Sequence, residues 1–260
     1  RKNKKKEYIE SDYYPTILLP TSGTSGPQKF VGLTHNNLQS NCNSIKEYLK
    51  IDKNIKCINN LPCSYSYGLS VLNTTLSAGG QFFCAQEPTI VRKTFWEEMK
   101  YYGITSFSGV PSIYQDLIRL NLLNVMPDSV EFITQAGGKL SINLQKILLN
   151  WALSKKIKFF VMYGQTEATA RLTYLELTAE PEKLGSVGRP IPDVSLISQF
   201  PSRDQNEKEL IFKGENISLG YFRDKNDLKN IRNTNQGVLK TGDVGFLDKD
   251  GCIFITGRIS

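Results

Sequence analysis

Short apolar runs alternate with helix-length amphipathic segments through the first two-thirds of the chain, and this alternation constrains the fold more than any other feature. In the longer segments the apolar residues recur at helical spacing. Leu144, Ile147, Leu148 and Trp151, for example, fall at i, i+3, i+4 and i+7, on one helix face. Such alternation predicts an α/β fold whose parallel-rich sheets are covered by helices. The predicted strands are 16–19, 30–33, 57–61, 81–85, 105–108, 131–135 and 157–162, and the predicted helices are 36–49, 91–101, 111–120 and 143–153.

After about residue 180 the helical periodicity fades, and short β-rich pieces appear at 194–197, 209–213, 237–240 and 252–256. Asp250-Gly251 between two apolar stretches is a hairpin-type turn signal. We therefore expect residues 1–180 to form the α/β core and residues 181–260 to form a small β-rich subdomain, a distorted barrel. The proline-containing segment 188–192 joins the two.

Composition excludes several classes of protein. No run of 18 apolar residues is present, so no transmembrane helix is expected, and the basic first six residues lack the apolar stretch of a secretory signal. The net charge of +7 suits an anionic ligand, but the basic residues are scattered without interleaved aromatics, so no nucleic-acid partner is expected. Five cysteines without C-x-x-C spacing and one histidine, His35, disfavour a zinc site or a catalytic triad. Reduced thiols in a cytoplasmic protein are expected.

A hydroxyl- and glycine-rich loop, Leu-Pro-Thr-Ser-Gly-Thr-Ser-Gly-Pro-Gln-Lys at 19–29, directly follows an apolar run. Its glycines let the backbone approach an anion, its hydroxyl and N–H groups can donate to phosphate oxygens, and Lys29 adds a positive charge. The Walker phosphate loop fails on register, because Gln28 stands where glycine is required and Phe30 where Ser or Thr is required. A hydrolase of that class is therefore disfavoured, and a solvated turn is the alternative for the loop taken alone.

Two further segments carry the residue types of a nucleotide site. Tyr163-Gly164-Gln165-Thr166-Glu167 follows a predicted strand, so it emerges where open α/β sheets bind ligands. There an aromatic ring can stack on a base and a carboxylate can hold a hard cation. Downstream, residues 240–251 include Asp243, and Arg258 follows them. A carboxylate such as that of Asp243 can accept hydrogen bonds from adjacent ribose hydroxyls. The alternative is that Asp243 and Arg258 form an ion pair on the protein surface.

Together these segments resemble the motifs of the AMP-forming adenylating enzymes, a superfamily of acyl- and aryl-CoA synthetases, peptide-synthetase adenylation domains and luciferase. Residues 22–26 and Lys29 match the phosphate loop [ST]-S-G-[ST]-[ST]-G-x-P-K-G, with Pro27 one position early and Phe30 replacing the last glycine. Residues 163–167 match Y-G-x-T-E, and residues 241–258 match T-G-D … D-G … G-R. Weaker matches lie at 135–138 and 208–214, and the resemblance spans residues 18–258.

The resemblance implies a role for each matched residue. Magnesium is assigned to Glu167, adenine stacking to Tyr163, and ribose binding to Asp243. The implied catalytic residues are Thr166, Glu167 and Lys29, and the implied nucleotide-binding residues are Thr21, Ser22, Gly23, Thr24, Ser25, Gly26, Gly137, Gly138, Tyr163, Gly164, Asp243 and Arg258.

An acyl pocket is implied by residues 61–69, which resemble the family's L-P-x-x-H-x-x-G segment with Tyr65 in the histidine position. The implied pocket residues are Tyr65, Tyr67, Gly68 and Ala136. Relatives that activate amino acids carry an aspartate in this region to pair with the ammonium group. No acidic residue occurs between Lys53 and Gln86, so we expect a small unsubstituted carboxylic acid, acyl or aryl.

The implied reaction joins a carboxylate to the α-phosphate of ATP, giving acyl-AMP and pyrophosphate with Mg²⁺ as cofactor. The acyl group then passes to a thiol of coenzyme A or of the phosphopantetheine on an acyl carrier protein. The family's chains are about twice this length and continue into a mobile C-terminal domain that supplies a lysine. That domain is expected to be absent here, so weak nucleotide binding and little adenylation are expected of residues 1–260 alone. An inactive adenine-nucleotide-binding remnant and an unrelated nucleotide hydrolase are the alternatives.

Overall fold

A computed structural model describes residues 14–21, 29–198 and 207–259 as a mixed α/β structure. The helices of this part of the chain are α1 His35–Leu49, α2 Ser66–Ser77, α3 Lys93–Tyr102, α4 Pro111–Arg119 and α5 Ile142–Lys155. Its strands are β1 Ile17–Pro20, β2 Phe30–Leu33, β3 Lys56–Ile58, β4 Gln81–Phe83, β5 Ser106–Gly109, β6 Phe132–Gln135, β7 Lys158–Tyr163, β8 Thr173–Glu176, β9 Arg189–Pro190, β10 Val194–Leu196, β11 Lys208–Gly214, β12 Gly220–Phe222, β13 Val238–Leu247 and β14 Ile253–Arg258.

The largest sheet has the strand order β5-β6-β7-β8-β9. Its first three strands are parallel, and β8 and β9 add antiparallel pairings at one side. The core beneath it is apolar: Phe107, Ile133 and Phe159 are fully buried. Because β6 and β7 run parallel side by side, the turns that follow them lie at the same edge of the sheet. That edge holds the candidate site.

A second sheet, β10-β11-β13-β14, is entirely antiparallel. Its register shifts near residues 209–211 and 244–245, and such irregularities increase the twist and bend of a sheet. The predicted hairpin at Asp250-Gly251 is confirmed: Gly251 has φ +77° and joins β13 to β14. The fold class expected from the sequence, parallel-rich α/β followed by a small barrel-like β region, is therefore confirmed.

Two smaller sheets connect distant parts of the chain. One is the parallel pair β3-β4, and the other has the order β1-β2-β12. Strand β12 pairs with β2 so that Tyr221 lies opposite Val31. Strands β9 and β12 thus come after residue 180 but pair with strands that precede it. The division into residues 1–180 and 181–260 stays a prediction.

Helix α5 illustrates what the apolar pattern predicted correctly and where it failed. The helix is present and begins after the N-cap Ser141, whose hydroxyl accepts the Leu144 N–H. Of the predicted apolar face, Leu148 is fully buried, but Ile147 is 45% exposed. The buried face includes the polar Gln145, whose amide donates to the Leu140 carbonyl. The predicted apolar face was therefore wrong in part. The apolar pattern could not show that the polar Gln145 would be buried with a hydrogen-bond acceptor while Ile147 stays exposed.

In the described ranges, no helix combines the length and the apolar character that crossing a bilayer requires.

Candidate active site

A cavity of about 260 Å³ opens beyond the carboxyl ends of β6 and β7. Five of the residues predicted to bind nucleotide line it, although they come from three separate stretches of sequence. These are Gly137, Gly138, Tyr163, Gly164 and Asp243. The remaining wall includes apolar side chains from β7 and β14 and the backbone near residue 185. A concave, mostly apolar site with a few convergent polar groups is the usual form of a small-molecule site.

The glycines of the cavity wall are required by the backbone geometry. Gly137 follows β6 with φ +79°, and an added Cβ would overlap the Tyr65 hydroxyl. At Gly164, an added Cβ would overlap the carbonyl oxygen of Ala170. The packing of Tyr65 and of the Ala170 backbone therefore leaves no room for a side chain at these two positions of the cavity wall.

Asp243 is the most strongly bonded polar group of the cavity. Its Oδ2 accepts hydrogen bonds from the Tyr163 hydroxyl at 2.6 Å and from the Gln165 Nε2 at 2.9 Å. Arg258 pairs with Asp243 across β13 and β14, and its Nε lies 3.8 Å from Asp243 Oδ1. The Asp243 side chain is only 13% exposed. Oδ1 is therefore the carboxylate oxygen that remains for a ligand hydroxyl.

Tyr163 stays a hydrogen-bond donor over the whole physiological pH range. Burial raises the pKa of its phenol, and the hydrogen bond to the Asp243 carboxylate raises it further. The ring packs at 46° to that of Phe212, with the centroids 6.4 Å apart. Its hydroxyl fixes the ring beside the Gly137–Gly138 turn, where it can contact a base.

The predicted phosphate loop is described only at its two ends. The Thr21 N–H donates to the Lys29 carbonyl at 3.2 Å, and β1 pairs with β2 up to Pro20 and Phe30. Both ends of the loop therefore meet at one end of this sheet. The predicted residues between them, Ser22, Gly23, Thr24, Ser25 and Gly26, lie outside the described residues.

The acidic part of the site lies in a short 3₁₀ turn, Thr166–Ala168, directly after β7. The Thr166 Oγ1 is 3.3 Å from the Ser66 Oγ, and Glu167 accepts a 2.6 Å hydrogen bond from the Tyr221 hydroxyl. The Lys29 ammonium lies 5.7 Å from the centroid of the Tyr221 ring. The three predicted catalytic residues, Lys29, Thr166 and Glu167, are thus grouped around β2, β7 and β12.

The donor set fits magnesium bound together with a triphosphate. No group of three His, Cys, Asp or Glu side chains in the described part of the chain could hold a metal alone. Mg²⁺ characteristically binds one or two carboxylates and completes its shell with water and substrate phosphates. Glu167 would supply that carboxylate.

The predicted acyl-pocket residues lie behind the Gly137 turn. Tyr65 is partly exposed and its hydroxyl lies against Gly137, whereas Tyr67 and Ala136 are only 2% and 3% exposed. Tyr67 donates to the Thr134 carbonyl, and Gly68 packs against the Pro62 carbonyl. In the described part of the chain none of the four lines the 260 Å³ cavity, and their role in substrate binding stays a prediction.

Sequence reasoning did not single out Gln165, Tyr221 or Arg171. Gln165 occupies the variable position of Y-G-x-T-E, so the motif gave no signal for its bond to Asp243. Tyr221 lies in a three-residue strand that the pattern missed. Arg171 is 3% exposed and its guanidinium lies 4.1 Å from the centroid of the Tyr67 ring. Only the fold brings Gln165 to Asp243 and Tyr221 to Glu167, and it places Arg171 against Tyr67 of the predicted acyl pocket.

The described part of the chain is an α/β structure with a cavity beyond the carboxyl ends of its parallel strands, and comparison with known proteins identifies its family. The family model described as AMP-binding enzyme matches residues 3–222. The chain belongs to this family of AMP-binding enzymes.

Similar proteins include several CoA ligases. The chain is 30% identical to an oxalate–CoA ligase of Arabidopsis thaliana, over 94% of this chain and 48% of the relative. It is 32% identical to a 2-succinylbenzoate–CoA ligase of Staphylococcus epidermidis, over 92% of this chain and 48% of the relative. The chain thus spans about half the length of the curated relatives that it matches.

Among solved structures, o-succinylbenzoate CoA synthetase of Bacillus subtilis in complex with its acyl-adenylate intermediate is similar, with a TM-score of 0.80 at 26% identity. That alignment covers 95% of this chain and 50% of the other. The complex of the same protein with ATP and magnesium gives a TM-score of 0.78 at 26% identity, covering 95% and 51%.

Proposed function

We propose that this chain forms the nucleotide-binding part of an enzyme that activates a carboxylic acid as an acyl-adenylate. The observation that carries the proposal is the convergence of Gly137, Gly138, Tyr163, Gly164 and Asp243 on one 260 Å³ cavity. Family membership supports it, as does the likeness to a synthetase solved with ATP and magnesium and with an acyl-adenylate.

In the proposed reaction a substrate carboxylate oxygen attacks the α-phosphorus of ATP. The new O–P bond forms as the bond from that phosphorus to the bridging oxygen breaks, and pyrophosphate leaves with the electron pair. Two anions must meet, so the protein contributes mainly by alignment and by neutralising charge. A magnesium ion, when bound, neutralises part of the triphosphate charge.

Each residue of the site has a physical task in this proposal. The Tyr163 ring and the Gly137–Gly138 turn hold the adenine between them, and Asp243 Oδ1 accepts from a ribose hydroxyl. The Lys29 ammonium and the loop that starts at Thr21 bind phosphate oxygens. Because Tyr163 and Gln165 already bond Asp243 Oδ2, the carboxylate is oriented before nucleotide arrives.

Glu167 would hold the magnesium ion. Its carboxylate is anchored through Oε1 to Tyr221, and it lies in the 3₁₀ turn Thr166–Ala168 that follows β7. Thr166, held near Ser66, would contact the phosphate region.

The proposed substrate is a small carboxylic acid other than an amino acid, because the segment between Lys53 and Gln86 offers no acid to pair with an ammonium group. The relatives named for oxalate and 2-succinylbenzoate are CoA ligases, which favours coenzyme A as the thiol acceptor over a carrier-protein phosphopantetheine. A cytoplasmic location is proposed from the five cysteines, all of them free thiols in the structure.

ATP–pyrophosphate exchange by the full-length protein, measured across a panel of carboxylic acids, tests the proposal. Acid-dependent exchange of labelled pyrophosphate into ATP is the expected result. ADP release would identify a nucleotide hydrolase instead. Nucleotide binding without exchange for any acid would identify an inactive adenine-nucleotide-binding remnant. Tyr101→Phe, at a residue that is 84% exposed and does not line the cavity, should leave exchange at the wild-type rate.

A further inference from the structure

Tyr221 connects the two oppositely charged groups of the candidate site. Its hydroxyl donates to Glu167 Oε1 at 2.6 Å, and its ring lies 5.7 Å from the Lys29 ammonium. The second distance is within the range of a cation–π contact. One side chain thus contacts both the carboxylate and the ammonium.

The sheet β1-β2-β12 explains the contact with Lys29. Tyr221 lies opposite Val31 in the antiparallel register of β12 and β2. Side chains two residues apart on a strand share a face, so Lys29 lies on the same face as Val31. Lys29 and Tyr221 are therefore diagonal neighbours across the two strands, close enough for long side chains to touch.

Backbone contacts explain why the hydroxyl reaches Glu167. The Ser218 N–H donates to the Glu167 carbonyl at 2.9 Å, and the Leu219 N–H donates to the Gly32 carbonyl at 3.0 Å. Nearby, the buried Asn216 side chain donates to the Ala168 carbonyl at 3.2 Å. The segment that leads into β12 is thus fixed to the 3₁₀ turn on one side and to β2 on the other. Tyr221 holds its place without help from the Glu167 side chain.

The arrangement keeps two useful charges apart. Lys29 and Glu167 form no ion pair with each other within 4.0 Å, although both contact the same tyrosine. A direct pair would neutralise the carboxylate needed for a cation and the ammonium needed for a phosphate. With Oε1 bonded to the phenol, Oε2 of Glu167 has no hydrogen-bond partner among the described residues.

We propose that Tyr221 is a positioning residue: its hydroxyl orients the Glu167 carboxylate for a divalent cation, and its ring keeps Lys29 free for the β- and γ-phosphates of ATP. The inference rests on the proposed function for the identity of the ligand. It predicts an effect on the magnesium-dependent, triphosphate part of binding and none on the adenosine part, which is contacted by Tyr163 and Asp243.

Tyr221→Phe separates the two tasks, because the ring stays and only the hydroxyl is lost. Partners that orient a metal ligand typically contribute ~10–100-fold to metal affinity. The Mg²⁺ concentration that half-saturates ATP binding, measured by calorimetry on the full-length protein, should rise by about tenfold or more. AMP affinity without Mg²⁺ should change less than about twofold. Tyr221→Leu, which also removes the ring, should weaken ATP binding even at saturating Mg²⁺.

Tyr101→Phe is the control and should leave both titrations at the wild-type values. Equal losses of AMP and ATP affinity in Tyr221→Phe, with a lower unfolding temperature, would mean that Tyr221 only supports the fold. An unchanged Mg²⁺ titration overturns the inference, as does a wild-type protein that binds ATP independently of Mg²⁺. If the wild-type protein binds Mg²⁺ and ATP but forms no acyl-AMP, the proposed reaction is refuted. The Mg²⁺ titration of Tyr221→Phe still decides whether Tyr221 orients Glu167.

Discussion

Replacement of Asp243 tests the nucleotide site at its most strongly bonded group. Asp243→Asn keeps the shape and one acceptor oxygen for the Tyr163 and Gln165 donors, but it removes the negative charge and places an amide beside Arg258. Asp243→Ala removes the acceptor altogether. It leaves the Tyr163 hydroxyl without its acceptor in a site where the aspartate side chain is 13% exposed, whereas Gln165 Nε2 keeps its bond to the Thr241 carbonyl. The asparagine variant should therefore fold normally, and the alanine variant should also be less stable.

The magnitude follows from the hydrogen bond expected between Asp243 Oδ1 and ribose. A hydrogen bond to a charged group contributes about 1.5–3 kcal/mol. The dissociation constant for AMP should then rise roughly 10- to 150-fold in Asp243→Asn, since 1.4 kcal/mol corresponds to about a factor of ten.

Isothermal titration calorimetry with AMP measures this change directly. Asp116→Asn on α4 is a matched control, because Asp116 also pairs with an arginine, Arg119, at 2.8 Å but lies on an exposed helix surface. Its AMP affinity should equal that of wild type. If Asp243→Asn also bound AMP with unchanged affinity, the ribose role would be refuted and the carboxylate would serve only to anchor Tyr163 and Gln165.

Three further changes have defined outcomes. Glu167→Gln should keep the unfolding temperature but lower turnover of the full-length enzyme, because the amide lacks the charge that holds magnesium; near-normal turnover at saturating Mg²⁺ would contradict this. Gly164→Ala should destabilise the fold by about 1–3 kcal/mol in urea denaturation, since its Cβ would overlap a backbone carbonyl oxygen, whereas Gly257→Ala, with open space around its Cβ position, should change little. Hydrogen bonds from Arg189 lower the pKa of Glu180 in the folded state. The pair therefore stabilises the fold fully at pH values above the unfolded-state pKa of about 4.3. This stabilisation is lost as the pH falls through the lower folded-state pKa. Urea denaturation from pH 7 to 3 should show less loss of stability in Glu180→Gln than in wild type, and equal losses would exclude the pair as a cause.

The strongly periodic elements could be predicted from the sequence because each carries its own signal. The helix His35–Leu49 begins after Thr34, whose side chain and that of Asn37 form a reciprocal capping box. The parallel strands 132–135 and 158–163 each contain a short apolar stretch, and most of their residues are buried in the sheet. Local pattern and tertiary burial agree in these elements, so the prediction held.

Helix α2 was missed because its residues favour other structures. Ser66–Ser77 is rich in Ser, Thr and Asn, which compete with the helical backbone for hydrogen bonds. In the fold the hydroxyls bond within the helix instead: Ser70 donates to the Tyr67 carbonyl and Thr75 to the Val71 carbonyl, each at 2.7 Å. Packing against α1 and the sheet then stabilises a helix that propensity alone does not predict.

Site residues could be proposed from the sequence only where they belong to a recognisable motif. Tyr163 and Asp243 were found 80 positions apart through motifs, and the structure joins them by a hydrogen bond. Tyr221 was missed because β12 has only three residues and pairs with a strand nearly 190 positions earlier. A long-range antiparallel pairing of this kind leaves no local periodicity in the sequence.

The central claim is that adenine nucleotide binds between the Gly137–Gly138 turn, Tyr163 and Asp243. A crystal structure of the protein with bound AMP tests this most directly. The adenine ring should lie in the 260 Å³ cavity against the Tyr163 ring, with the ribose hydroxyls on Asp243 and the phosphate toward Lys29 and Thr166. AMP bound elsewhere, or adenine more than one side-chain length from Tyr163, would contradict the account.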